Sequence, residues 1–480
     1  MLLTDNLLLD YKRCQRRAFL NRYGQPSKRM PEREFLQKLQ RENQKQIDAI
    51  LTECDYGEPR FAPGDWEEGA GQTEDLMRQG ADLIYKGVLF WAATPSFPAL
   101  LGQPTFLKKM PGTSRFGDWH YIPINVKLGK RPKPEYKAVG AFHAYLLAQV
   151  QGEVPSGSRL VLRDGREYQV ALSNWLPRME QVLSDCNRML QLGLEPEVFI
   201  SRQRCSLCQW QEACHVLAQS QQHLSLVPGV TPSRYEQLQQ FGIISLEHLA
   251  AMSSPQIDEV LGVEIALQLQ QQAQSLLEGK PLLRDGFEGL GRLPTSAIEL
   301  YFDIEAEPDR DLDYLLGVLV RDRVTQSERF YPFLAEVPED EGVIWQQFLD
   351  LVERYPQAPI FHFSEYEAET IERLALRYPI PIARLKPLLE RLIDLHYWTT
   401  QSVIVPVESY SLKSLAVWVG FEWRDRGVNG ESAVCWYDRW LQNGDRALLN
   451  AIVRYNEDDC RATRYLKDWL ATFLSLNAAR

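Results

Sequence analysis

Apolar residues recur along this chain at two spacings, and the switches between them mark three stretches. Around residues 33–54 and 73–91 they return every three or four positions, which predicts amphipathic helices. Residues 119–127 (WHYIPINVK) and 159–162 (RLVL) are short apolar runs that predict strands. Residues 1–220 therefore read as an α/β domain. From 221 to about 290 the chain turns Gln- and Leu-rich and the pattern is helical. Near 296 it changes again. Residues 298–305 (IELYFDIE) form an apolar strand carrying two acids, with further strands predicted at 314–320 and 358–363 and helices at 343–355, 367–377 and 448–473. That mixture predicts a mixed α/β sheet in a third domain, 296–480, preceded by a helical module, 221–295.

Composition narrows the setting. The 480 residues are 45% hydrophobic and 24% charged, as in ordinary globular proteins, and no apolar run reaches the roughly 18 residues of a membrane span. The first residues, MLLTDNLLLDYKRC, lack a basic start and a small-residue cleavage site, so a cytoplasmic location without a membrane partner is expected. A formal net charge of −11 argues against phosphate binding over the whole surface. The stretch 127–137 (KLGKRPKPEYK) is locally basic, and its Lys127, Lys130, Arg131 and Lys133 suit either a phosphate-facing patch or a solvated loop.

Two sets of residues carry candidate chemistry. RCSLCQWQEAC places Cys205, Cys208 and Cys214 within ten residues, and in a reducing compartment such clustering favours metal over disulfide. In the strand FDIE, residues i and i+2 share a face, so Asp303 and Glu305 can hold one metal ion or two side by side. Tyr455 and Asp459 of YNEDDCRAT lie one helical turn apart, and FHFSEYE ends an apolar strand in a polar turn that offers Glu365 and Glu367.

Taken in order, FDIE, FSEYE and YNEDD resemble the exonuclease branch of the RNase H-like superfamily, known for a four-acid DEDD motif. The resemblance covers about 296–475, and because Arg454 stands where the histidine form has its His, the tyrosine form is indicated. It implies that Asp303, Glu305, Glu367 and Asp459 hold Mg²⁺ or Mn²⁺ for two-metal phosphodiester hydrolysis, with Tyr455 orienting the water. Glu367 departs from the usual Asp, leaving Glu365 as its competitor. Asp394 and Lys413 resemble secondary positions of the same branch.

Upstream, Cys14 followed about 190 residues later by Cys-x2-Cys-x5-Cys resembles the iron–sulfur nucleases of the RecB-like class. That resemblance implies a restriction-endonuclease-like domain whose ends are stapled by a four-iron four-sulfur cluster on Cys14, Cys205, Cys208 and Cys214, with zinc as the alternative. Laying that class's motifs on the chain puts Thr105 and Asn125 where metal-binding acids belong, while Lys127 and Tyr145 are kept. Neutral oxygens do not replace ionised carboxylates around Mg²⁺, so this site is expected to be dead unless Asp118 is the true acid. In the helical module, Leu226–Val230 and Phe241–Leu249 repeat a glycine turn before a helix, which resembles helix-hairpin-helix modules and makes Gly229 and Gly242 candidate phosphate contacts; a plain helical spacer is the alternative. The expected function is a metal-dependent nuclease, exonuclease before endonuclease, acting on DNA or RNA with single strands or ends favoured. A non-catalytic nucleic-acid-binding scaffold in repair or recombination is the competing expectation.

Overall fold

The structure, a computed structural model, describes residues 1–94, 97–252, 255–284 and 292–477. Its contacts divide the chain into two units, Met1–Leu217 and Ala218–Arg480.

The first unit opens with β1 (Leu2–Thr4), and Thr4 Oγ1 accepts from Leu7 N to cap α1 (Asp5–Arg13). There follow α2 (Gln15–Tyr23), α3 (Glu34–Glu53) and α4 (Trp66–Arg78). Strands β2 (Leu83–Tyr85), β3 (Leu89–Trp91), β4 (Ala99–Gly102), β5 (Phe106–Ser114) and β6 (Gly117–Val126) come next, then α5 (Pro134–Gln151), β7 (Ser158–Val161), β8 (Glu167–Val170), α6 (Leu172–Gln191), α7 (Arg202–Cys205) and α8 (Gln211–Ser220). A five-stranded sheet runs β2-β5-β6-β7-β8, antiparallel except for the parallel pair β6–β7. A smaller sheet runs β1-β4-β3. The helix expected over 73–91 is instead α4 followed by two strands. Gly80, at φ 72°, takes the left-handed turn that ends the helix, and Leu83, Ile84 and Tyr85 are all buried, which suits a strand covered on both faces.

Alternation along β6 sets the layers of this unit. Tyr121 packs with Phe142 and Leu147 of α5, whereas Ile124 and Val126 pack with Ile47 of α3. Asn125 and Lys127 are in phase with Tyr121, on the α5 side.

The second unit begins with short helices, α9 (Pro232–Gln240), α10 (Leu246–Ala250), α11 (Pro255–Leu261) and α12 (Val263–Glu278). Its sheet contains β10 (Ile298–Glu307), β11 (Leu312–Asp322), β12 (Ser327–Leu334), β13 (Ile360–His362) and β14 (Leu392–Asp394) in the order β12-β11-β10-β13-β14. The first three are antiparallel, while β13 and β14 continue the sheet parallel to β10. The helical segment is tied into this unit: β9 (Leu282–Leu283) pairs with β15 (Val403–Ile404), and Gln272 Nε2 donates to Val405 O at 2.8 Å.

Helices α13 (Glu341–Glu353), α14 (Tyr366–Arg377), α15 (Ile382–Leu389), α16 (Leu395–Ser402), α17 (Leu412–Trp418), α18 (Gly430–Asn443) and α19 (Arg446–Asn477) complete the unit. Leu300, Phe302 and Ile304 of β10 face a core containing Trp345, Phe348 and Leu349 of α13. Tyr301, between them, faces Cys460, Leu466 and Leu470 of α19. Asp303 and Glu305 share the face of Tyr301, so the strand period delivers them to α19. Among the described residues, no helix is long and apolar enough to cross a membrane.

Candidate active site

Asp303, Glu305 and Asp459 each place a carboxylate oxygen within 4.8 Å of the others. Two elements make this meeting. β10 supplies the first two acids, and its register against β11 shifts immediately after Glu305 before pairing resumes at Ala306. α19 packs across β10 and β11 and supplies Asp459. Glu305 and Asp459 are buried, and Asp303 is partly exposed.

Burial and mutual repulsion act together here. Desolvation, then the charges of Asp459, Glu305 and Glu367, push the Asp303 carboxyl well above its usual range, and desolvation followed by Asp459 does the same to Glu305. Burial raises Asp459 to about 7, although Trp423 and Tyr455 donate to it and hold it down. Carboxylates so crowded bind protons or a dication, and their hard oxygens suit Mg²⁺ or Mn²⁺.

A fourth acid, Glu367 on α14, lies outside that 4.8 Å group. It is 4% exposed, whereas Glu365 is exposed on the surface, and Glu367 is the one whose charge reaches Asp303. Ser364, between β13 and α14, sits at φ 115°, a conformation costly for a side chain with a Cβ. Three contacts hold it there: its N–H donates to Asp394 Oδ1 (3.0 Å), its carbonyl accepts from His362 Nδ1 (2.8 Å), and its hydroxyl lies 3.3 Å from Glu367 Oε2. Asp394 also caps α16 through His396 N and Tyr397 N, so its hydrogen bonds are those of a scaffold residue.

Tyr455, one turn before Asp459, is largely buried and hydrogen-bonded to it, and burial followed by the charge of Asp459 pushes its hydroxyl far above the ordinary tyrosine value. It stays protonated at neutral pH and acts as a donor rather than a base. Lys413 is exposed, donates to Val428 O at 2.7 Å and lies over the Trp423 ring at 5.7 Å, and its charge lowers Asp459.

Two ligand-holding residues escape a reading by acids alone. Asn456 Nδ2 donates to Asp303 Oδ2 at 2.7 Å, and Trp423 Nε1 donates to Asp459 Oδ1 at 2.7 Å. Asn456, on α19, fits only because the residue opposite Asp303 in the sheet lacks a side chain. Gly317 pairs with Asp303 in the β10–β11 ladder, and a Cβ there would stand 1.7 Å from Asn456 Oδ1. A glycine inside an apolar strand was the available signal.

In the first unit, Cys14 lies between α1 and α2, Cys205 closes α7, and Cys208 and Cys214 follow. Burial raises the Cys205 thiol to about 11, and the charges of Cys14, Cys208 and Cys214 add to the rise, so the four sulfurs are neighbours. Hydrogen bonds already tie this corner together: Met30 N to Gln209 O (2.8 Å), Gln209 Nε2 to Met30 O (2.9 Å) and Trp210 Nε1 to Asn21 Oδ1 (2.7 Å). Zinc–sulfur bonds of about 2.3 Å set tetrahedral thiolates about 3.8 Å apart. Among the described residues the three acids form a group within 4.8 Å of one another and the four thiols do not.

The basic stretch divides. Lys130, Arg131 and Lys133 are exposed, whereas Lys127 lines a pocket with Thr105 and Asn125. Asp118 is exposed at the start of β6. It lies seven residues from Asn125, about 23 Å along a strand, and is therefore no acid of that pocket. Gly229 and Gly242 adopt φ 93° and 72°. Gly242 N–H is bonded to Gln239 O at 3.0 Å, as part of the turn that ends α9.

Comparison with known proteins adds one match. Residues 300–471 match the RNase H superfamily, and the strand order around β10 belongs to that RNase H-like domain. No curated protein matches the chain.

Proposed function

We propose that this protein is a metal-dependent nuclease of the DEDD type, in which Asp303, Glu305, Glu367 and Asp459 hold Mg²⁺ or Mn²⁺ for hydrolysis of DNA or RNA. The observation that carries the reading is the meeting of Asp303, Glu305 and Asp459 within 4.8 Å inside the span that matches the RNase H superfamily. Bound ions would supply an activated water and a counter-charge for the leaving oxygen. The chain itself orients the ligands: Asn456 fixes Asp303, Trp423 fixes Asp459, and Ser364 with His362 fixes Glu367. Tyr455, protonated beside Asp459, is placed to position the water, and strand ends are favoured over internal sites by resemblance to the exonuclease branch.

On this reading residues 1–220 serve binding, with Cys14, Cys205, Cys208 and Cys214 holding an iron–sulfur cluster in a restriction-endonuclease-like domain, and 221–295 forms a helical module before 296–480. Purified protein incubated with labelled single- and double-stranded DNA and RNA and Mn²⁺ should cleave at least one of them, and Asp303→Ala and Asp459→Ala should not. Equal cleavage by wild type and both variants would refute the site. A brown chromophore lost in Cys14→Ser is expected, and stoichiometric zinc in colourless protein would replace the cluster.

A further inference from the structure

The pocket around Lys127 in the first unit has a chemistry of its own. We propose that it is a metal-independent binding site for a phosphate monoester, built on Lys127 and Asn125. The pocket measures about 270 Å³, and Asp5, Lys86, Thr105, Asn125, Lys127 and His143 line it. This lies below the range of about 300–1,000 Å³ typical of drug-sized ligands, and suits a phosphate with its attached sugar.

Its one acid is already committed. Asp5 Oδ1 accepts from Asn6 N at 2.7 Å, and Oδ2 accepts from Gln103 N at 2.9 Å and lies 2.8 Å from His143 Nε2. Burial alone would push Asp5 up, yet His143, the Gln103 N–H and Lys127 hold it below the usual carboxylate range. With all its near donors in place, Asp5 has little left to offer a cation.

The donors facing it are not committed. Lys127 Nζ makes no hydrogen bond or ion pair among the described residues, and its nearest aromatic contact is the Tyr136 ring at 5.9 Å. Asn125 is 1% exposed, and its Nδ2 is buried without a partner. A buried donor in that state costs free energy that an anionic oxygen would return. Thr105 Oγ1 accepts from Val126 N at 3.1 Å, leaving its own proton to donate. Lys86, exposed and at φ 51°, also lines the pocket, with its Nζ 4.7 Å from the Tyr85 ring, and adds a second positive charge there. Two cations and two neutral donors against one spent carboxylate select an anion, and the matching dianion is a terminal phosphate.

The inference stands on the first unit alone and does not depend on the nuclease reading. It is tested with full-length protein in metal-free buffer, where hydrolysis is silent, by calorimetry with short oligonucleotides carrying a 5′-phosphate, a 3′-phosphate or neither. At least one phosphorylated form should bind about tenfold or more tightly than the unphosphorylated one, with inorganic phosphate competing, since charge-assisted bonds are worth that much. Lys127→Gln and Asn125→Asp should each erase the preference, and Lys130→Gln should keep it. If a melting curve shows Lys127→Gln unfolded, the nearly isosteric Asn125→Asp carries the test. A nucleoside monophosphate binding as tightly as the oligonucleotide supports the site with a free nucleotide as its ligand, and tighter binding of the oligonucleotide supports it with a strand end. No preference for phosphate, or a preference that survives in folded Asn125→Asp, overturns the proposal.

Discussion

On β10 the residues two apart on the inward face are Asp303 and Glu305; at the end of β6 they are Asn125 and, one residue past the strand, Lys127. Both pairs stand on a central strand facing a packed helix, and in each unit a buried polar group comes from that helix, Asp459 in one and His143 in the other. In the second unit the carboxylates crowd with only the exposed Lys413 to offset them, so the site keeps a surplus of negative charge that a dication would satisfy. In the first unit the one acid is spent on His143 and two backbone N–H groups, so the surplus is positive. The two strands thus present opposite electrostatic demands, and on the readings proposed above the identity of two side chains would decide which ion each site takes.

The largest test of this contrast is Asp303→Asn. Assayed on an oligonucleotide without terminal phosphate, it should lower Mn²⁺-dependent turnover on the order of a thousandfold, the several kcal/mol a correctly held metal supplies. Asn125→Asp should leave that turnover within about twofold, being remote from the acid cluster in chemistry; a comparable loss in both variants would dissolve the contrast.

Next comes Gly317→Ala, which adds one methyl group and no charge. Pressed against Asn456, it should cost about 1–3 kcal/mol of stability by overpacking and lower metal affinity roughly ten- to a hundredfold through the lost support of Asp303. Titration of Mn²⁺ against a melting curve separates the two effects.

A third test varies pH without mutation. Burial and neighbouring acids raise Asp303 and Glu305, burial alone raises Glu367, and burial raises Asp459 to about 7, against roughly 4 in the unfolded chain. The folded state therefore binds more protons, so this contribution to stability is fully present below about pH 4 and is lost as pH rises through about 7. Metal-free protein should melt at lower temperature at pH 8 than at pH 6, and Mn²⁺ should raise the melting temperature more at pH 8. The increment should vanish in Asp303→Asn and persist in Asn125→Asp. The smallest effect is expected from Trp423→Phe. Losing its hydrogen bond to Asp459 favours the protonated carboxyl, which should move the acidic limb of the pH–rate profile to higher pH by about one pH unit or less, the ~1 kcal/mol of one hydrogen bond.

The sequence made the acids legible because strand and helix periods act on neighbours. FDIE places two carboxylates on one face by spacing alone, and Tyr455 and Asp459 share a turn of α19. What it hid depends on contacts between distant segments. That Asn456 supports Asp303 needs a glycine 139 residues before it, as their numbers 317 and 456 show. Asp5 joins His143 across 138 residues, so the spent acid of the first pocket escaped a search confined to the motif positions. The mistaken helix at 73–91 has a local cause: Leu83-Ile84-Tyr85 is too short and too apolar for periodicity to distinguish strand from helix.

The bond from Asn456 to Asp303 joins residues 153 positions apart, and Trp423 must reach Asp459 before the same corner is complete. Contacts of such long sequence separation pay their loop-closure entropy before they return any stability, so they form late in folding. A chain with its β-sheet assembled but α19 still undocked would hold Asp303 and Glu305 without their third carboxylate. Cutting power would thus arrive as one of the last events of folding, and a half-folded molecule would be harmless to the nucleic acid around it.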